Sequence, residues 1–136
     1  MTLKEAIAEL RRRNQLVPKP LALPTADDVE RAERTLGARF HPDYRQLLLE
    51  AGDVVYGTLE PAQVVPDAGA YSLVTMARGA WDLGVSRTLL PICEDNGDYY
   101  CMDPTGRIVF WSHDGATSES WPNLAAWIEV VWLGQG

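Results

Sequence analysis

The chain has 136 residues, enough for one domain that buries its own core without disulfide staples. Apolar residues make up 46% and charged residues 23%, values that exclude a disordered or fibrous chain. Nineteen acidic side chains against twelve Lys and Arg leave a net charge of −7, which argues against direct binding to nucleic-acid phosphates. The acidity is uneven. Residues 1–45 carry nine basic and seven acidic side chains, whereas residues 46–136 carry only Arg78, Arg87 and Arg107 against twelve acids. Such a surface first of all aids solubility; the alternative is that it steers encounter with a basic partner.

The N-terminus has neither the apolar run nor the small-residue cleavage site of a secretory signal, and no stretch reaches the roughly 18 apolar residues of a membrane span. Two cysteines and no N-x-[S/T] acceptor complete the picture. A cytoplasmic location with reduced thiols is expected, without membrane contact.

In chain order, Thr2 and Glu5 form a capping box ahead of Leu3, Ala6, Ile7 and Leu10, which predicts a helix over residues 3–13. Arg11-Arg12-Arg13 fall in its last turn, where cations complement the helix dipole. Pro18, Pro20 and Pro24 keep residues 15–24 extended as a stiff connector. Residues 1–24 are thus a helix and connector belonging to the same unit as residues 25–136. Thr25 and Asp28 start a second helix on Val29, Ala32 and Leu36, closed by Gly37. Pro42 opens a third, with Tyr44, Leu47, Leu48 and Ala51 before Gly52.

The middle turns to sheet. Val54-Val55-Tyr56 reads as a short strand and Gln63-Val64-Val65 as another, and Leu73, Met76, Ala77, Ala80 and Trp81 fit a fourth helix ending at Gly84. Leu89–Cys93 and Tyr99–Met102 flank Asn96-Gly97, the strongest short hairpin pattern. Asp103-Pro104-Thr105-Gly106 is a type I turn sequence leading into a strand at Arg107–Trp111. A polar loop, Ser112 to Ser120, precedes a closing helix whose face is Leu124, Trp127, Ile128, Val131 and Trp132. The fold class is α+β: one domain with a central, mostly antiparallel sheet and helices at both ends of the chain.

Cys93, Cys101, His113 and Asp114 are residue types that bind zinc, but their spacings match no ligand template, so no metal or cofactor is expected. A two-residue Asn96-Gly97 turn sets Cys93 opposite Tyr100 and sends the two sulfurs to opposite faces. A three-residue loop would set them side by side. A cysteine nucleophile with His113 as base is the enzyme version of that grouping. No nucleophile elbow, glycine-rich phosphate loop or H-E-x-x-H helix supports it, and no catalytic residue is assigned. Glu94, Asp95, Asp98 and Asp103 gather around the hairpin tip and the next turn, where turn-forming Asp and Asn account for most of the cluster and a surface for basic residues is the alternative. They lack the alternation of a calcium loop. Trp111 and Trp121 flank the polar loop, as core aromatics or as interface anchors.

Two runs of residues carry a family pattern. The first is Val29-Glu30 and Glu33, Leu36-Gly37, Phe40-His41-Pro42-Asp43-Tyr44, then Leu47-Leu48-Leu49. The second is Leu90-Pro91-Ile92-Cys93, Asn96-Gly97-Asp98, Tyr100-Cys101-Met102-Asp103, then Gly106 through Asp114, with Leu124 and Trp127 closing the chain. Over residues 25–133 this resembles the SUKH superfamily of Smi/Knr-like cell-wall-assembly regulators and toxin-immunity proteins. Ala51-Gly52-Asp53 departs from the Asn-Gly pair common there. The resemblance implies an α+β protein-binding domain without catalytic apparatus. On that basis the expected function is an immunity protein that neutralises a toxin, such as a nuclease, by direct binding. The expected partner is a basic toxin domain, and the expected contacts are Glu94, Asp95, Asp98, Asp103, Trp111 and Asp114. The alternatives are a regulatory scaffold of the cell-wall type and a small cysteine- or metal-dependent enzyme.

Overall fold

In the computed structural model, which describes residues 1–115 and 117–135, the first half of the chain is helical because its caps are strong. Helix α1 spans Leu3–Arg12, with Thr2 and Glu5 exchanging both capping-box hydrogen bonds. Helix α2 spans Ala26–Leu36; Thr25 and Asp28 form the same box, and Gly37 ends it in the left-handed region. Helix α3 spans Pro42–Ala51, and the His41 Nδ1 accepts from the Asp43 amide at 3.1 Å as its cap. Strand β1 is the two residues Glu60–Pro61, followed by a 3-10 turn at Pro66–Tyr71 and helix α4 at Leu73–Asp82.

Strands β2 (Leu90–Asp95), β3 (Asp98–Met102), β4 (Ile108–Trp111) and β5 (Ser120–Trp121) then complete a five-stranded antiparallel sheet in the order β1-β2-β3-β4-β5. Asn96 and Gly97 both have positive φ, so the hairpin turns with the two-residue geometry its sequence demands. Cys93 pairs with Tyr100 as the two-residue turn requires, and a β-bulge between Pro91 and Cys93 then shifts Pro91 onto Cys101. One face carries the row Pro61, Cys93, Tyr100 and Phe110; the other carries Glu60, Glu94, Tyr99 and Trp111.

The helices close over the first of those faces. Tyr100 lies 5.3 Å from Trp127, and Tyr44, Leu47 and Leu48 of α3 share a cavity wall with Ile92. Leu10, Val29, Leu73, Ile108, Leu124 and Ile128 are all fully buried, so α1, α2, α4, the sheet and the closing helix share one core.

Two expected strands are absent, and the expected closing helix is present but irregular. Val54–Tyr56 is no strand: the Val55 carbonyl accepts from the Gln15 amide, the Val55 amide donates to the Asn14 side chain, and Trp132 and Gln135 donate to the Tyr56 carbonyl. These backbone groups bond the connector and the C-terminal segment instead of a neighbouring strand. Gln63–Val65 makes only an isolated parallel bridge, Gln63 to Ser72. The closing helix is also irregular. It is α-helical over Leu124–Trp127 (α5) and π-helical over Ile128–Trp132, with the Leu133 amide bonded to the Ile128 carbonyl at 2.7 Å. The wider turn sets Trp127 and Trp132, five apart in sequence, 5.9 Å from ring to ring.

Candidate protein-binding site

The hairpin tip gathers most of the acidic side chains singled out above. Glu94 and Tyr99 are cross-strand partners, as are Asp95 and Asp98, and Tyr99 continues across to Trp111. The Tyr99 and Trp111 rings lie 6.0 Å apart. β1 adds Glu60 to the end of this row, opposite Glu94. The result is a partly exposed acidic–aromatic strip running Glu60, Glu94, Tyr99, Trp111, of which only Tyr99 is buried.

Asp114 joins the tip through His113. The Asp98 carboxylate accepts from the His113 amide at 3.1 Å and lies 2.5 Å from its Nδ1, while the His113 Nε2 faces Asp114 at 3.3 Å. One imidazole therefore bridges two carboxylates and pins the loop after β4 to the hairpin. The His113 amide, helped by its ring, holds the Asp98 carboxyl below its ordinary range despite partial desolvation. Asp98 is thus ionised at neutral pH. Asp114 is exposed, and Asp95 stands half-buried beside the turn.

Asp103 does not belong to this group. It lies beyond the opposite end of β3, about 17 Å from Asp98 at the rise of an extended strand. Its Oδ1 accepts from the Thr105 amide at 2.9 Å, the Thr105 hydroxyl at 2.6 Å and the Arg107 amide at 3.0 Å. Burial pulls its carboxyl upward, and those hydrogen bonds outweigh the pull, so it stays below its usual range. Its work is to hold the turn. Trp121 packs edge-on against Tyr100 on the helix-covered face, 5.7 Å away.

The thiols stand apart from this surface. Cys93 and Cys101 are both fully buried and unpaired; burial pushes the Cys93 thiol well above its usual range and the Cys101 thiol to about 12. Both remain protonated at neutral pH, so neither has the thiolate character that a nucleophile or zinc ligand needs. Among the described residues no cluster of three His, Cys, Asp or Glu side chains could hold a metal, and no helix is long and apolar enough to cross a membrane.

Arg11 and Arg12 of the last turn of α1 are exposed to solvent, and all three arginines of the run have partners within the fold. Arg11 pairs with Asp53, Arg12 and Arg13 pair with Glu9, and Arg13 also donates to the Leu133 carbonyl at 3.1 Å. Hydrogen bonds from Arg12 and Arg13, together with their charges, pull the Glu9 carboxyl down to about 2.

Two contributors escaped the sequence reading. Glu60 lies in a strand too short to show a pattern, and only its register against Glu94 reveals it. The place of Asp114 next to His113 is visible in the chain, whereas the bond from His113 to Asp98 needs the hairpin.

A small α+β domain with helices on one sheet face and an acidic–aromatic strip on the other presents a surface suited to protein contact. Residues 3–133 match the family model described as SMI1-KNR4 cell-wall (SUKH_5), and the chain belongs to that family. The match includes α1 and the connector, which lie ahead of the two motif runs. A crystal structure of a protein from Pseudomonas syringae pv. tomato is similar over 97% of this chain and 99% of its own, at 40% identity and a TM-score of 0.92. No curated protein matches the chain.

Proposed function

We propose that this protein is an immunity protein, which binds a basic toxin domain such as a nuclease and occludes its phosphate-binding cleft. The observation that supports the reading is the hairpin tip. Glu60 and Glu94 lie in one row with Trp111, Asp95 and Asp98 flank the turn on the other face, and the one basic ring among them, His113, is held by Asp98 and Asp114. Carboxylates fixed by β-structure and a short histidine bridge lose little freedom on binding cationic side chains. Trp111, partly exposed in the same row as Glu60 and Glu94, supplies the apolar anchor that charge alone does not.

Co-expression with a toxin encoded beside this gene tests the proposal. Growth should be restored, and the purified complex should weaken as ionic strength rises, since exposed charge pairs are screened. Failure to rescue growth rejects the pair. Rescue with salt-independent affinity keeps the immunity role and removes the acidic strip from it.

The family description favours a second reading, a scaffold in cell-wall regulation. It predicts a gene among cell-envelope loci with no toxin neighbour, and capture of a partner without any effect on toxicity.

A further inference from the structure

Three buried polar side-chain atoms have no hydrogen-bond partner among the described residues: the Tyr44 hydroxyl of α3, the Gln63 Oε1 just after β1 and the Trp127 Nε1 of α5. All three residues line the same small cavity, whose other walls include Leu48, Ile92 and Trp132. Their exposures are 2%, 9% and 1%, so bulk solvent satisfies none of them. Buried polar groups in folded proteins are nearly always partnered, and three orphans converging on one cavity share one cause.

The cavity leaves about 10 Å³ open to the centre of a water molecule. That is the room one water takes and too little for any larger ligand. The donor and acceptor types also match. An indole N–H only donates, an amide oxygen only accepts, and a phenol does either. One water accepts from Trp127, donates to Gln63 and bonds Tyr44 in whichever sense remains.

We propose that this cavity is the binding site of a single structural water molecule, coordinated by Tyr44, Gln63 and Trp127. The water joins three parts of the chain that otherwise meet there through apolar contact: the third helix, the segment after the first strand and the closing helix. It thereby sets the closing helix against the helix-covered sheet face.

A crystal structure of the full chain at about 1.5 Å or better reads the site directly. A density peak within about 2.7–3.2 Å of at least two of the three atoms is expected. A featureless cavity, a larger ligand, or side chains turned to bond each other would overturn the proposal. Substitution supplies an independent measurement. Tyr44→Phe and Gln63→Met should each raise the unfolding equilibrium constant about fivefold, the effect of stranding buried hydrogen-bond partners. The double variant should raise it by less than the product of the two, because the water departs once its second partner is gone. Effects that simply multiply would show that Tyr44 and Gln63 share no common ligand and would overturn the proposal.

Discussion

The contrast between two glycines shows how a single atom is placed. Gly37 and Gly106 both have positive φ, at 69° and 93°, so a side chain at either strains the backbone by about 1–2 kcal/mol. Their surroundings differ. A Cβ at Gly37 meets nothing within 4 Å, whereas one at Gly106 comes within 2.7 Å of the His41 Nε2. His41 is not free to step aside, because its Nδ1 caps α3. Gly106→Ala is therefore expected to lose at least about 1 kcal/mol more than Gly37→Ala, from displacing the ring and loosening the cap. Urea unfolding of the two variants checks this. Equal losses would mean that the turn after β3 yields without disturbing α3.

At the scale of elements, what could be read from sequence had its cause nearby. The capping boxes at Thr2 and Thr25, Pro42 ahead of α3 and the Asn96-Gly97 turn each settle their own element within a few residues, and each appears as expected. What could not be read depends on distant partners. β1 and β5 have two residues each and are strands only because Glu94 and Cys93, or Ile108 and Val109, lie alongside. Pro61 is tolerated because β1 is an edge strand. Val54–Tyr56 has strand-forming residues, but Asn14, Gln15, Trp132 and Gln135 reach its backbone first. The candidate site divides the same way: the acids flanking the turn were legible, while Glu60 and the Asp98–His113 bond came from the register. Helix α1 offers the sharpest test of an element. Leu10 is fully buried, whereas Leu16, six residues on, is 98% exposed. Leu10→Ala should cost about 2–5 kcal/mol and Leu16→Ala less than about 0.5 kcal/mol in chemical denaturation. A small loss at Leu10 would mean that α1 is an appendage and not part of the core.

For the whole molecule, the question is whether the charge of −7 acts as a total or as a pattern. Long-range attraction to a basic partner depends partly on total charge, but productive docking depends on where the field is strongest. The twelve acids after residue 45 are spread over helices, loops and strands, and among them Glu60 and Glu94 lie in one cross-strand row with the partly exposed Trp111. Two double substitutions with the same change in net charge separate the possibilities. Glu94→Lys with Asp95→Lys reverses charge at the tip, and Glu50→Lys with Asp82→Lys reverses it on α3 and α4, where both side chains are exposed. If the pattern governs recognition, the tip variant should associate with the toxin partner at least about tenfold more slowly at low salt, and the helix variant should stay within about twofold of the unmodified protein. The gap should narrow as salt approaches about 1 M, where screening shortens electrostatic reach to roughly 3 Å. Equal slowing of both variants would make the acidity a general attraction and move the contact surface away from the hairpin. Stopped-flow association at two ionic strengths decides between them, and circular dichroism of each variant confirms that charge, not folding, has changed.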